Sequence, residues 1–567
     1  MNSMRFFQNS LSLRLSLLPL SVLTAGLCAA ACGSEERDYR GGSGAGGEAD
    51  GAAGNDRGGK SSAGTSSAGT SSAGTSSGGT GTAGDGGVDP GAGGGSDEPA
   101  PICSLNDAEI VEGCRPAEDT IFVDAGAAAG GTGTRLKPAK TLEAALQLAK
   151  LRGIAQLALC EGTYAEALSI DQASSVRLLA GGFSCDTWQY SEAGRSLVRP
   201  TEPGYALTVE VPEEQVAFLS VAFQALDAVD AGDSSVAVFV KASSAVRFER
   251  VSFTAGIGRP GAAGSTAGYV EGNGAGNWPN AVAAAGTATS GGAAVTVTCP
   301  GSNLKSVGGR GGTSRDTSVS PTREQVEAAA GTPAGGSAGT STLVYNSPSS
   351  CTGGGSVAAT AKAGDEGAGA TQLGTLSASG WKPQTGVAGK VGLVGGGGGG
   401  GGFLASCGAS AGGAGCGTFS NGGGGGPGGC GGAGGAAGLG GGSSVALMSF
   451  GSAITIVGGS FETAQAGDGG AGDDGQVGQA GKSGGMRWLA SGQSTGCSGG
   501  TGGKGGPGGG GGGGSGGSSL GVLWSGGTAP VLEADPTFTL GAAGDGGTGA
   551  GASNGGDPGA ARNVQAL

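Results

Sequence analysis

Glycine fills 136 of the 567 positions and runs unbroken from Gly395 to Gly402. Each glycine gives up more backbone entropy on ordering than any other residue, and it brings no side chain to bury in return. Aromatic residues make up only 4 % of the chain and charged residues 13 %. A core must therefore be assembled from small, separated pieces. No sustained Gly-X-Y period accompanies the glycine, which excludes a collagen triple helix. Two states remain for the tracts. They are either mobile loops extruded between ordered elements, or threefold extended chains that pack by exchanging backbone hydrogen bonds with nothing in the way.

The formal charge is −14 and there is no histidine. An acidic chain is a poor partner for nucleic acid, whose phosphates need a basic face. The missing histidine removes Ser-His and Cys-His catalytic pairs and His-ligated zinc. Carboxylate, Lys and Arg chemistry remains open.

The N-terminus reads as an export signal: Arg5 and Arg14 precede an apolar run from Leu15 to about Leu27, and small residues follow. The run is too short for a spanning helix. Its end, AAAC before GS, resembles a bacterial lipobox with Cys32 as the lipidated first residue of the mature protein. Simple cleavage after Ala29-Ala30-Ala31 is the alternative. Acyl chains on Cys32 imply a membrane anchor at the outer membrane or cell surface. SSAGTSSAGTSSAGTSSGGT, from Ser61 to Thr80, has nothing to bury and is expected to be a disordered tether.

Folding signals start near Cys103. TIFVDA, from Thr120 to Ala125, is a short β-type run. KPAKTLEAALQLAK then carries Leu142, Ala145, Leu146 and Ala149 on one helical face. The strand-like LALCEGTYAEALSI and SSVRLLAGGF follow. This entry resembles that of right-handed parallel β-helices of the pectin-lyase-like kind. The resemblance implies that the helix closes the open end of a stack of coils. GYALTVEV, VAFLSVAF, SVAVFVKA and AVRFERVSF suit further coils.

A unit of two serines, an apolar strand, a turn, a second strand, a Phe and a Gly-Ala tail starts at Ser234, Ser443 and Ser518. Equivalent units at unequal separations imply insertions of unequal length between stacked coils. The expected fold is all-β: a right-handed parallel β-helix with an N-terminal capping helix, long Gly-rich loops and a disordered N-terminal tether. Five segments follow: signal peptide 1–31, tether 32–101, N-terminal coils with the capping helix 102–254, Gly-rich insertions with intervening strands 255–442, and C-terminal coils with a further insertion 443–567.

Cys103, Cys114, Cys160, Cys185, Cys299, Cys351, Cys407, Cys416, Cys430 and Cys497 are an even set in an exported chain and are disulfide candidates. Adjacency suggests 103–114, 160–185, 299–351, 407–416 and 430–497, although connectivity is not contained in a sequence. Cys-x-x-Cys is absent and no metal site is expected. GGAGDDGQV from Gly469 nearly fits a calcium-binding nonapeptide and makes Asp474 a weak calcium candidate. Asp227, Asp230 and Asp233 recur at three-residue spacing, and Glu249 stands between Arg247 and Arg250. A polar turn and a solvated sheet face are their simplest readings. Trp188, Tyr190, Trp278, Trp381, Trp488 and Trp524 are scattered, and Trp188 reads as cover for the end of a coil.

The expectation is a lipid-anchored surface protein for structure or adhesion, without catalysis or cofactor. Its tracts resemble the Gly-Ala repeats of PE-PGRS surface proteins. Expected partners are the membrane and extracellular polysaccharide or surface proteins, and no nucleic acid. A carbohydrate-active β-helix enzyme (polysaccharide lyase or hydrolase) and a non-catalytic glycan-binding module are the alternatives.

Overall fold

The computed structural model describes residues 100–103, 110–266, 283–299, 303–314, 325–345, 354–410, 413–488 and 496–567. The signal segment, Cys32, nearly all of the 32–101 tether, Trp278 and Cys351 lie outside the described residues.

Three parallel sheets share one core. The first has seven strands in the order Ile121–Val123, Gln156–Cys160, Leu178–Phe183, Gln215–Leu219, Ala245–Glu249, Ile454–Val457 and Val531–Glu533. The second has six: Gly162–Tyr164, Ser196–Val198, Val221–Gln224, Ser252–Thr254, Ser460–Glu462 and Thr537–Thr539. The third also has six: Leu168–Asp171, Leu207–Glu210, Ser235–Lys241, Ser444–Phe450, Ser519–Ser525 and Ala561–Ala566. None closes into a barrel. From Gln156 onward the chain visits the first, second and third sheets in turn and returns to the first, one strand further along. Residues from all three, among them Leu159, Ile170, Phe223, Val238, Phe248 and Ile456, form a single buried cluster.

From the turn that begins at Gln215 onward, two of the three corners are tight because a residue takes the left-handed conformation. Between the first and second sheets these are Ser220 (φ 53°), Arg250 (φ 51°), Gly458 (φ 62°) and Ala534 (φ 53°). Between the third sheet and the next turn they are Ala242 (φ 45°), Gly451 (φ 61°) and Gly526 (φ 66°). The third corner, from second sheet to third, carries every long glycine-rich excursion: residues 255–443, 463–518 and 540–560. The insertions therefore leave from one edge of the stack, and the strands either side of each remain paired.

The repeated unit is explained by this stacking. Its strands pair in register, Ser235 with Ser444 and Ser444 with Ser519. The first serine of each unit accepts a hydrogen bond from the next turn: Ser443 N–H donates to Ser234 Oγ at 2.8 Å, and Ser518 N–H to Ser443 Oγ at 3.0 Å. The second serine holds the departing chain, since Gly256 N–H donates to Ser235 Oγ and Ala464 N–H to Ser444 Oγ. The Phe of each unit enters an aromatic ladder. Phe253, Phe461 and Phe538 stack with centroids 4.7 Å apart at each step, close to the spacing of neighbouring strands.

The helix forms where expected, over Leu142–Arg152. Thr141 caps its first turn, Gly153 ends it in the left-handed conformation, and Leu142, Ala145 and Ala149 are buried. Glu166 adds a carboxylate that accepts the N–H groups of Leu142 at 2.8 Å and Glu143 at 3.1 Å. Its apolar face joins the core at the N-terminal end of the stack. Buried Tyr164 donates to Val123 and Cys160 carbonyls at 2.8 and 3.0 Å, and burial pushes its phenol pKa up, so it stays neutral. Trp188 packs edge-on against Phe122 at 4.8 Å and is part of a buried cluster outside the first sheet. No helix among the described residues is long and apolar enough to cross a membrane.

Phe461 sits between two stacked rings, so its loss opens a cavity that neither neighbour can fill. Phe461→Ala should destabilise the stack by about 3–5 kcal/mol in chemical denaturation. The exposed Thr537→Ala, on the last turn of the same sheet, should change stability by less than about 0.5 kcal/mol.

Candidate functional site

The described parts of the glycine tracts are packed, which corrects the expectation of long loops. Their hydrogen bonds fall on every third residue. The N–H groups of Gly386, Gly389, Gly392, Gly395, Gly398 and Gly401 donate to the carbonyls of 438, 435, 432, 429, 426 and 423. In the same way Gly426, Gly429, Gly432, Gly435 and Gly438 donate to 500, 503, 506, 509 and 512, and Gly502, Gly505, Gly508 and Gly511 to 482, 479, 476 and 473. Descending partner numbers mean antiparallel neighbours and ascending ones mean parallel, so the bundle mixes both. A three-residue period is that of an extended threefold chain, which makes no hydrogen bonds within itself and must find them in neighbours.

This geometry explains the composition. A Cβ on Gly429 would press into the Gln479 carbonyl, one on Gly432 into that of Gln476, and one on Gly506 into that of Lys362. Inner chains have neighbours on all sides, hence the unbroken runs. The rim chain 464–485 has one open side, and there side chains return: Asp474, Val477, Ala480 and Ser483 are each exposed, three residues apart. Asp474 is thus an outward rim position. GGAGDDGQV is part of a bundle chain, with the Asp474 N–H bonded to Asp473 Oδ1 at 3.0 Å. Asp473 ties the rim to the first insertion. Its carboxylate accepts the Thr266 N–H at 2.7 Å, and hydrogen bonds from the Thr266 hydroxyl and N–H hold its pKa below the ordinary carboxylate value.

Disulfides pin both halves. Cys103–Cys114 and Cys160–Cys185 form as adjacency suggests. The 299–351 and 430–497 pairings are overturned, because Cys299 bonds to Cys430, 131 residues away. Inside the bundle, chain order does not set neighbours: Cys299 leaves a short antiparallel pair, 296–298 with 305–307, and meets Cys430 beside Val394. Cys497 is also disulfide-bonded. Cys407 and Cys416 are backbone partners across an antiparallel pair, and their side chains lie outside the described residues. Asp124 lies near Cys160 and Cys185, but those sulfurs are bonded to each other and are not free as metal ligands.

The charged cluster is not a solvated face. Glu249 is 3 % exposed, with Arg250 Nη1 at 3.0 Å and Arg247 Nη2 at 3.3 Å. A carboxylate taken from water needs this pairing, and losing one partner leaves a buried charge uncompensated. Asp227, Asp230 and Asp233 do not bring their carboxylates together. Asp227 instead accepts the Ile257 N–H at 2.8 Å where the first insertion departs. Trp381 lies on a hairpin, Gly374–Ser377 with Gly380–Pro383, that covers the outer face of the third sheet, and its indole N–H donates to Ser443 at 3.1 Å.

Sequence reasoning missed a cavity of about 310 Å³ at the corner between first and second sheets. Residues 184–195 form a long connection there, whereas the following turns pass the corner in one to three residues. The overhang supplies Tyr190, Glu192 and Arg195, and the tight corners supply Ser220 and Arg250. Tyr190 Oη lies 2.8 Å from Ser220 Oγ. Arg250 Nε donates to the same hydroxyl at 3.4 Å. Arg195 comes from a loop with no periodicity to mark it. The only trace in the sequence is the Arg247-Phe248-Glu249-Arg250 run.

No family model, curated protein or solved structure matches this chain.

Two outcomes follow from the bundle. Gly432→Val should open it to proteolysis between about Gly386 and Gly517, while the exposed Val477→Ala leaves the digestion pattern unchanged. Because the Asp473 carboxyl titrates lower when folded than unfolded, its contribution is present above the ordinary carboxylate pKa and is lost as pH falls through the depressed value. Thermal unfolding of wild type and Asp473→Asn should therefore differ at neutral pH and converge in strong acid.

Proposed function

We propose that this is an exported, lipid-anchored surface protein with a structural or adhesive role, in which a right-handed parallel β-helix mounts a rigid glycine bundle. The pectin-lyase-like resemblance of the entry helix, three open parallel sheets visited in turn and a single shared core support the β-helix reading. The observation that carries the function is the bundle. All three glycine-rich insertions leave the same corner and knit into a hydrogen-bonded body whose glycine chains lie too close together for a side chain between them. Such a body suits a stiff, thin surface held away from a membrane. The apolar leader and Cys32 support export and anchoring, and the Ser/Gly/Thr segment supports a tether.

Cys32→Ala should release the protein from membranes into the soluble fraction. Retention of the variant on membranes overturns the anchor. Cells displaying a variant without residues 384–442 should lose adhesion to surfaces or to one another, and unchanged adhesion overturns the bundle's role.

The corner cavity favours a second reading, a glycan-binding module. Tyr190, Ser220, Arg195 and Arg250 offer hydroxyl and guanidinium groups in a space at the small end of ligand pockets. A polysaccharide panel separates the readings. Retention abolished by Arg195→Gln supports binding, and released shorter products point to the enzyme alternative.

A further inference from the structure

The two ends of the stack are finished differently. At the N-terminal end the helix buries Leu142, Ala145 and Ala149 over the core. At the other end Val531–Glu533, Thr537–Thr539 and Ala561–Ala566 are the last strands of the three sheets. Core-directed positions there stay open: Leu532, in register with buried Ile456, is 37 % exposed, and Val564, in register with buried Val522, is also 37 % exposed. Val531 beside them is 50 % exposed. The aromatic ladder also stops short, because Phe538 stacks on Phe461 at 4.7 Å and is only half-buried. Each last strand presents an unused row of backbone donors and acceptors, which is a template for another strand.

From this open end we infer that the protein forms a two-fold dimer, end to end, with a second copy of itself. Three sheets around one core admit three placements of a two-fold axis perpendicular to the stack, each passing through the middle of one sheet. Any of them makes the abutting strands antiparallel. An axis through the second sheet sets Thr537–Thr539 on its own copy, so Phe538 meets Phe538 and continues the ladder. It also sets Val531–Glu533 of each copy on Ala561–Ala566 of the other.

Charge selects this arrangement. Glu533 ends its strand, Arg562 lies at the start of its own, and antiparallel pairing brings the end of one to the start of the other. Both side chains point away from the core: Glu533 pairs in register with Val457 rather than inward Ile456, and Arg562 with Leu520, which belongs to the outer cluster. Among the described residues Glu533 is paired with Arg247 alone, at the 4.0 Å limit of an ion pair. An axis through the first sheet instead sets the Glu533 strand on itself, and one through the third sets the Arg562 strand on itself. Only the axis through the second sheet places opposite charges together twice. It also maps the corner carrying the glycine bundle onto a corner that carries none, so the two bundles do not collide. This inference does not depend on the adhesive role.

The test is sedimentation of the mature chain over a concentration series. A monomer–dimer equilibrium is expected. Arg562→Glu and Glu533→Arg should each weaken it by about tenfold or more, as like charges then face one another. The double variant should restore it. Circular dichroism of the same samples checks that folding is unchanged, which is expected at exposed positions. A monomer at every concentration overturns the inference, and so does a dimer indifferent to both single changes or not recovered in the double variant. Adhesion lost with a dimer intact would count against the display reading alone.

Discussion

A parallel strand is extended only by another strand laid on it in register, and everything in this protein depends on that requirement. Register is held here by small repeated devices rather than by a large core. Serine hydroxyls pass hydrogen bonds from turn to turn, aromatic rings repeat at the strand spacing, and left-handed residues hold two corners tight. With two corners fixed, the third is free to let chain out and take it back. The two strands bordering residues 255–443 each continue their own sheet as though nothing had been inserted.

The glycine bundle meets the same need by the opposite means. In the stack, side chains choose the partners and backbone hydrogen bonds follow. In the bundle inner side chains are few, among them Cys299, Cys430, Ser306 and Asn554, and the backbone does most of the pairing, every third residue. Glycine's entropy cost is offset because each chain shares several neighbours, because Cys299–Cys430 closes the first insertion on itself, and because Asp473–Thr266 fastens the second insertion to the first. Along the rim chain 464–485, side chains return on the open side and give the protein a surface with a period of three.

Much of the stack was legible in the residues. The helix over Leu142–Arg152, the three serine-led units and the Cys103–Cys114 and Cys160–Cys185 bridges all rest on local or repeated signals. The cavity was not legible, because Arg195 and Arg250 come from different turns and meet only when those turns stack. Glu249 was misjudged for a related reason: its neighbours in sequence are arginines, but its burial comes from the strands above and below.

The sequence by itself determined that the glycine tracts have almost nothing to bury, how many stacked units border them, and where the chain leaves and rejoins those units. Only the tertiary structure decided which glycine chain lies beside which, and hence that Cys299 meets Cys430 rather than a nearer cysteine. The reason is physical. A strand with side chains carries a pattern that picks out its partner, whereas every glycine offers the same N–H and the same carbonyl. Among identical donors and acceptors, partners are set by the fixed corner from which each chain starts and by the closeness with which bare backbones pack.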